Sequence, residues 1–186
     1  MAEPRLPVLA ADAYDAAQAD AAAYFQESRR TPVFGPFEPL MHSPDLMRRA
    51  SDMGLYLRYG SAIGLKLSEF VIILTARLWS QDYEWHLHAR IAAEQGVSAE
   101  VIAAIADGRR PDGMSEDETI LHDFVSELHQ TRRVSDQTYD RAVARFGTKG
   151  VVDVIGITGY YSLLAMVLNV ARTPVPDGEA VLPRLP

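Results

Sequence analysis

The sequence predicts an all-α fold, a single-domain bundle of about seven or eight helices, on three observations. Its prolines fall at 4, 7, 32, 36, 39 and 44, at 111, and at 174, 176, 183 and 186, leaving 45–110 and 112–173 uninterrupted. Both stretches are rich in alanine, leucine, glutamate and arginine, and their apolar residues recur three and four positions apart, which is the helical period. Nowhere does strand-type alternation run for a useful length. At 186 residues the chain is long enough to bury one real core.

Start and stop signals set the elements in order. An alanine-rich segment from about Asp12 to Arg29 is a first helix, followed by the proline- and aromatic-rich loop RTPVFGPFEPL. Ser43-Pro44 is an N-cap with proline at the first helical position. Ser68 precedes the run EFVIILTARLW, and Gly96 closes YEWHLHARIAAEQG as a C-terminal glycine does. Ser98 opens VIAAIADG, and Ser115 to Glu118 form a capping box ahead of TILHDFVSELHQ. Ser135 starts QTYDRAVARFG, and Gly147 to Gly150 lead into a last helix that Gly156 and Gly159 are expected to interrupt. That helix is apolar nearly all round, so it is expected to be buried by its own domain or by another subunit, which predicts a homo-oligomer. The proline-rich ends are expected to fray.

Composition narrows the chemistry. Eighteen Lys+Arg against twenty-five Asp+Glu leave a net charge of −7, which argues against nucleic acid or an anionic membrane as partner. There is no cysteine, so disulfides, thiolate metal sites and thiol nucleophiles are excluded within this chain. Val154 to Leu168 is short and soft for a membrane span. The first residues reach acids without an apolar core, and a cytoplasmic location is the expectation.

Dinucleotide, phosphate-loop, nucleophile-elbow and HExxH patterns are all missing. What stands out is Trp79 to His88, which concentrates two of the five histidines, two acids and both tryptophans. At 100° per residue, Gln81, Glu84 and His88 fall within an arc of about 60°, whereas His86 points away. Tyr83, Leu87 and Ile91 form an i, i+4, i+8 row expected to face the core, with Glu84 and His88 beside it. A carboxyl and an imidazole so placed can tune each other as a general acid/base pair. The same spacing also describes an ordinary helix-surface pair contributing roughly 0.2–0.5 kcal/mol. No metal site is expected, because Glu84, His86 and His88 do not converge from one helix. His122 and His129 are expected to be solvated, and His42 structural.

The chain resembles the carboxymuconolactone decarboxylase / alkylhydroperoxidase D-like superfamily. The block SEFVIILTARLWSQDYEWHLHARIAAEQGVSAEVIAAI resembles the family signature, with FGPFEPLMHSPDLMRRASDMGLYLRYGSAI before it. The segment from Leu121 to Ala171 resembles the C-terminal half, so the likeness covers about 34–171. It implies a helical domain over 34–171, preceded by an arm and first helix (1–33) and followed by a tail (172–186). It also implies a trimer or hexamer.

In the thiol peroxidase branch, the positions that match Glu69, Gln81, Glu84 and His88 carry Glu, Cys, Cys and His. Both cysteine positions hold other residues here, so the resemblance implies the cysteine-free decarboxylase branch, which uses neither cofactor nor metal. His88 and Glu84 would exchange a proton, and Glu69 would orient the histidine. Gln81, Tyr83, Trp79 and Arg77 would contact a small carboxylate or lactone, with Trp85 as a further wall and Arg90 as a further cation. On one straight helix Glu69 and Glu84 would be about 22 Å apart. The three-residue site therefore requires a break near 79–82, where Ser80-Gln81-Asp82 supplies a cap-type cluster. Other proton-transfer chemistry, or a scaffold that binds or assembles without catalysis, are the alternative readings.

Overall fold

In the computed structural model, residues 4–176 and 182–183 are described. Among them are eight α-helices and no strand: α1 (Ala16–Arg29), α2 (Phe37–Leu40), α3 (Pro44–Tyr59), α4 (Gly64–Leu78), α5 (Asp82–Glu94), α6 (Ala99–Ala106), α7 (Glu116–Thr131) and α8 (Asp136–Ala171). The expected tail falls largely on 177–181 and 184–186, which lie outside the described residues.

Local chemistry explains most boundaries. The side chains of Ser98, Ser115 and Ser135 each accept a backbone N–H at the start of α6, α7 and α8, and Ser115 with Glu118 completes a capping box. α1 starts later than expected. A short 3₁₀ turn (Ala11–Ala13) precedes it, and Asp15 with Gln18 forms its capping box. α4 starts earlier, at Gly64, so Ser68 is no cap. Its buried hydroxyl instead donates to Leu57 O at 3.1 Å and bonds Ser61 at 2.9 Å, tying α4 to α3. α2 is a single turn inside the predicted loop.

α4 is the central helix. Every residue from Ser68 to Arg77 is buried, and the helix packs against α3, α5, α6, α7 and α8. Phe70, Val71, Ile72 and Ile73 are fully enclosed, each contributing about 1.5–3 kcal/mol of burial. Part of the apolar surface of the last helix is covered by its own domain. α8 buries Val154, Ile157, Tyr161, Leu164 and Leu168 against the domain but leaves Val152, Ile155, Met166 and Val170 exposed. α8 comprises two helical segments that meet at a kink at Gly147, where the backbone is non-helical (φ 68°, ψ 171°), as expected from the Gly147 to Gly150 stretch, and the second segment runs on to Ala171. Gly156 and Gly159 do not interrupt it. By length and composition α8 could cross a membrane, yet 56% of its most apolar window is buried within the chain's own fold.

The break between α4 and α5 positions the site. Ser80 N–H bonds Arg77 O and Gln81 N–H bonds Ala76 O, both at 2.9 Å, the double bond of a Schellman ending. Ser80 occupies the left-handed position, φ 46°, that glycine usually fills. Gln81 then caps α5, its Oε1 accepting Tyr83 N–H at 2.6 Å. The turn folds α5 back along α4, the helix with which it shares its most extensive contact.

Candidate functional site

Folding α5 onto α4 turns a pair into a chain of four charged groups. Arg58 Nε donates to Glu69 Oε1 at 2.9 Å. Glu69 Oε2 lies 2.6 Å from His88 Nδ1. His88 Nε2 lies 3.3 Å from Glu84 Oε2. Glu69 is fully buried, and Glu84 and His88 are 2% and 4% exposed. The row Gln81, Glu84, Trp85, His88 and Ala92 is therefore the core face of α5, whereas Tyr83, Leu87 and Ile91 are only half-buried. The expected stripe was displaced by one position. The acid and the imidazole lie on the buried stripe itself rather than beside it.

Electrostatics follow from that placement. Burial alone pushes the His88 pKa down, but hydrogen bonds and charge from Glu69 and Glu84 outweigh it, and the net direction is up. Burial pushes Glu69 up, yet His88 and Arg58 hold its carboxyl below the usual glutamate value. A Glu69 so disposed is an acceptor on both oxygens, so His88 Nδ1–H donates to it and Nε2 is the ring nitrogen turned to Glu84. Tyr161 stacks its edge against the His88 ring at 5.1 Å and restricts its rotation.

Beyond Glu84 and His88 is a cavity of about 30 Å³, lined by Arg29, Phe34, Phe37, Arg58, Tyr160 and other residues. That is room for about two water molecules. Half-buried Phe34 also lines a pocket of about 690 Å³ between the N-terminal segment, α2 and the end of α8. One aromatic side chain therefore borders both the inner cavity and an outer vestibule.

The other predicted contacts are dispersed. Gln81 is occupied as the α5 cap, and its Nε2 donates to Asn169 at 2.8 Å. Tyr83 packs against Gly35 and lines the outer pocket. Trp79 donates to Ser162 Oγ at 2.9 Å on a separate groove with Ile155 and Thr158. Trp85 belongs to the core. Arg77 is buried beside Leu74, Ile105 and His122, away from the cavity. Arg90 is exposed and pairs loosely with Glu94. His122 and His129 are half-buried rather than solvated. His42 contacts Pro7 O at 3.1 Å.

The cations at the site are Arg29 and Arg58, which sequence reasoning missed. They lie at the ends of α1 and α3, and no local spacing links them to α5. A weak signal existed for Tyr160: a Tyr-Tyr pair in an otherwise aliphatic helix brings hydroxyls that need partners.

Residues 44–119 match the sequence model of the Carboxymuconolactone decarboxylase family. No curated protein matches the chain. Among solved structures, an uncharacterized peroxidase-related protein from Ralstonia eutropha JMP134, described as an alkylhydroperoxidase AhpD core, superposes with a TM-score of 0.74 at 17% identity. That match covers 94% of this chain and 93% of the other. A peroxidase-related protein from Silicibacter sp. TM1040 gives 0.71 at 12% identity, covering 92% and 93%. At these identities the likeness establishes the fold.

Proposed function

We propose that the chain is a member of the carboxymuconolactone decarboxylase / alkylhydroperoxidase D-like superfamily, a reading supported by the match over residues 44–119, and that it is a cofactor-independent lyase or isomerase. Its substrate in this reading is a small organic acid or lactone, worked on by acid/base proton transfer. One observation carries the reading: His88 is clamped between two carboxyls, and the second, Glu84, keeps Oε1 buried without a protein partner at the cavity.

Glu84 takes the proton from the carbon beside a carbonyl, and the C–H electron pair moves into the carbonyl as an enolate. In an isomerisation the proton returns at another carbon. In a decarboxylation no C–H bond breaks first: the C–C bond breaks, carbon dioxide leaves, its electron pair moves into the carbonyl as the enolate, and the protonated His88–Glu84 pair delivers one proton to carbon. His88 Nε2 holds and exchanges that proton, and Glu69 with Arg58 fixes the ring that does so. Thiol peroxidase chemistry is outside this reading, because the chain has no cysteine. A homo-oligomer, trimer or hexamer, covers the exposed apolar face of α8 in this proposal, and the compartment is the cytoplasm.

Screening purified protein against carboxymuconolactone and related lactones tests the reading. Turnover is expected to fall at least about 10²-fold in His88→Ala and Glu84→Gln. Equal turnover by both variants would remove the pair. A thiol-dependent peroxidase assay should stay at background.

A second reading, a ligand-binding or assembly protein without catalysis, is favoured by the size of the cavity. Its 30 Å³ is far below the roughly 300–1,000 Å³ of a small-molecule site. Catalysis therefore needs the Phe34 wall to open toward the outer pocket, and Phe34→Ala should raise turnover of bulky lactones or leave the non-catalytic reading in possession.

A further inference from the structure

Tyr160 lies on α8, 2% exposed, with its ring edge-on to Tyr161 at 5.2 Å. Its hydroxyl has no hydrogen-bond partner in the protein and lines the same cavity as the unpartnered Glu84 Oε1. An unpaired buried donor is destabilising, so a chain tuned for stability alone would carry phenylalanine here. Space for the hydroxyl is kept by Gly54 on α3. A Cβ at that position would collide with Tyr160 Oη and lie 2.9 Å from Arg29 Nη2. The phenol and the guanidinium therefore converge on one corner, and Glu84 and His88 line the same small space.

Arg29 is itself fixed in place. Its Nε and Nη2 donate to Ser51 at 2.8 and 2.7 Å, and its guanidinium stacks over Phe37 at 4.7 Å. Burial raises the Tyr160 hydroxyl far above its ordinary pKa although Arg29 pulls the other way, so it stays a donor.

We propose that Tyr160 is a substrate-contacting residue whose O–H, beside Arg29, binds the oxygen on which negative charge gathers during proton transfer. This rests on the acid/base reading above. As the C–H bond breaks, its proton goes to Glu84 Oε1 and its electron pair delocalises onto the carbonyl oxygen, which Tyr160 then holds as an enolate. Reprotonation returns the pair to carbon, and no oxidant or reductant is needed. Such donors act by being in place where charge develops.

Tyr160→Phe tests this with formate, the smallest planar oxyanion, as the probe. In protein labelled with ¹³C at tyrosine Cζ, the Tyr160 resonance should shift saturably with formate, and Tyr160→Phe should bind formate at least tenfold more weakly. Its Tm should be unchanged or higher, because the hydroxyl removed has no protein partner. An unmoved Tyr160 resonance, unchanged formate affinity in the variant, or a Tm several degrees lower would each overturn the proposal. In the lactone assay Tyr160→Phe should lose about 10²–10³-fold in kcat. Wild-type turnover by Tyr160→Phe, with His88→Ala and Glu84→Gln inactive, sinks Tyr160 alone and leaves the acid/base reading standing. Wild-type turnover by His88→Ala and Glu84→Gln sinks the acid/base reading, and with it the enolate role, while formate still decides whether Tyr160 binds an oxyanion.

Discussion

His88 and His122 each sit among charges, and their surroundings drive them in opposite directions. His88 is enclosed between Glu69 and Glu84, with Arg58 behind Glu69. His122 lies on the rim of a groove of about 550 Å³, beside Asp123 and Arg110. Burial lowers both imidazoles, but two carboxyls raise His88, whereas Arg110 adds to the lowering at His122 and Asp123 only partly offsets it. At His88 the partners overturn the effect of burial, whereas at His122 burial itself sets the direction. The same residue types give a buried relay in one place and a half-buried, mutually screened network in the other.

The largest expected contrast comes from removing one carboxyl from each cluster. Glu69→Gln strands Arg58 and His88 in the interior and should cost about 3–5 kcal/mol in urea unfolding. Asp123 pairs with Arg110 and with Arg141 on the surface, where Arg110 and Arg141 are about half exposed. Asp123→Asn should therefore cost under about 1 kcal/mol. Equal losses would erase the distinction between the clusters.

pH should separate them next. The His88 pKa is raised on folding above its usual 6.5, so its stabilisation is complete below about pH 6.5 and fades as pH climbs through the raised folded value. Glu69 is depressed below 4.5, so its share is present above about pH 4.5 and is lost as pH falls through the depressed folded value. His122, lowered on folding, opposes His88: its penalty begins as pH drops below 6.5. Unfolding free energies from pH 5 to 9 should show the alkaline decline vanish in His88→Gln and the acid-side penalty vanish in His122→Gln. Proton NMR should find the two rings titrating on opposite sides of 6.5.

The smallest effect sharpens the origin of the contrast. Ser80 is held at φ 46° in the turn that brings α5 beneath Glu69. Ser80→Gly should stabilise the fold by about 0.5–1 kcal/mol by relieving the left-handed position, and it should leave the His88 titration where it was. A shifted titration would mean that the turn's strain, and not the carboxyls, sets the imidazole.

Much of this was legible beforehand because capping is local. Ser98, Ser115 and Ser135 sit within three residues of the N–H groups they satisfy. The break before Asp82 was legible for the same reason, in the cap-type run Ser80-Gln81-Asp82. Ser68 misled because a serine before an apolar run looks the same whether it caps a helix or lies four residues inside one. The α5 stripe misled because Tyr83, Leu87 and Ile91 make an acceptable apolar row. Only the arrival of Glu69 and Arg58 makes Glu84 and His88 tolerable on the buried one.

The sequence by itself determined the longer helices, the turn between α4 and α5, and the loss of thiol chemistry, since each depends on residue identity or on contacts within one helical turn. The tertiary structure alone decided which charges meet. Arg58 and Glu69 are 11 residues apart and Glu69 and His88 are 19 apart, so packing of whole helices joined them. Packing also fixed the cavity at about 30 Å³, brought Tyr160 to it, and left one face of α8 uncovered. A charge's effect depends on its distance and on the water removed around it, and neither quantity exists until the chain has folded.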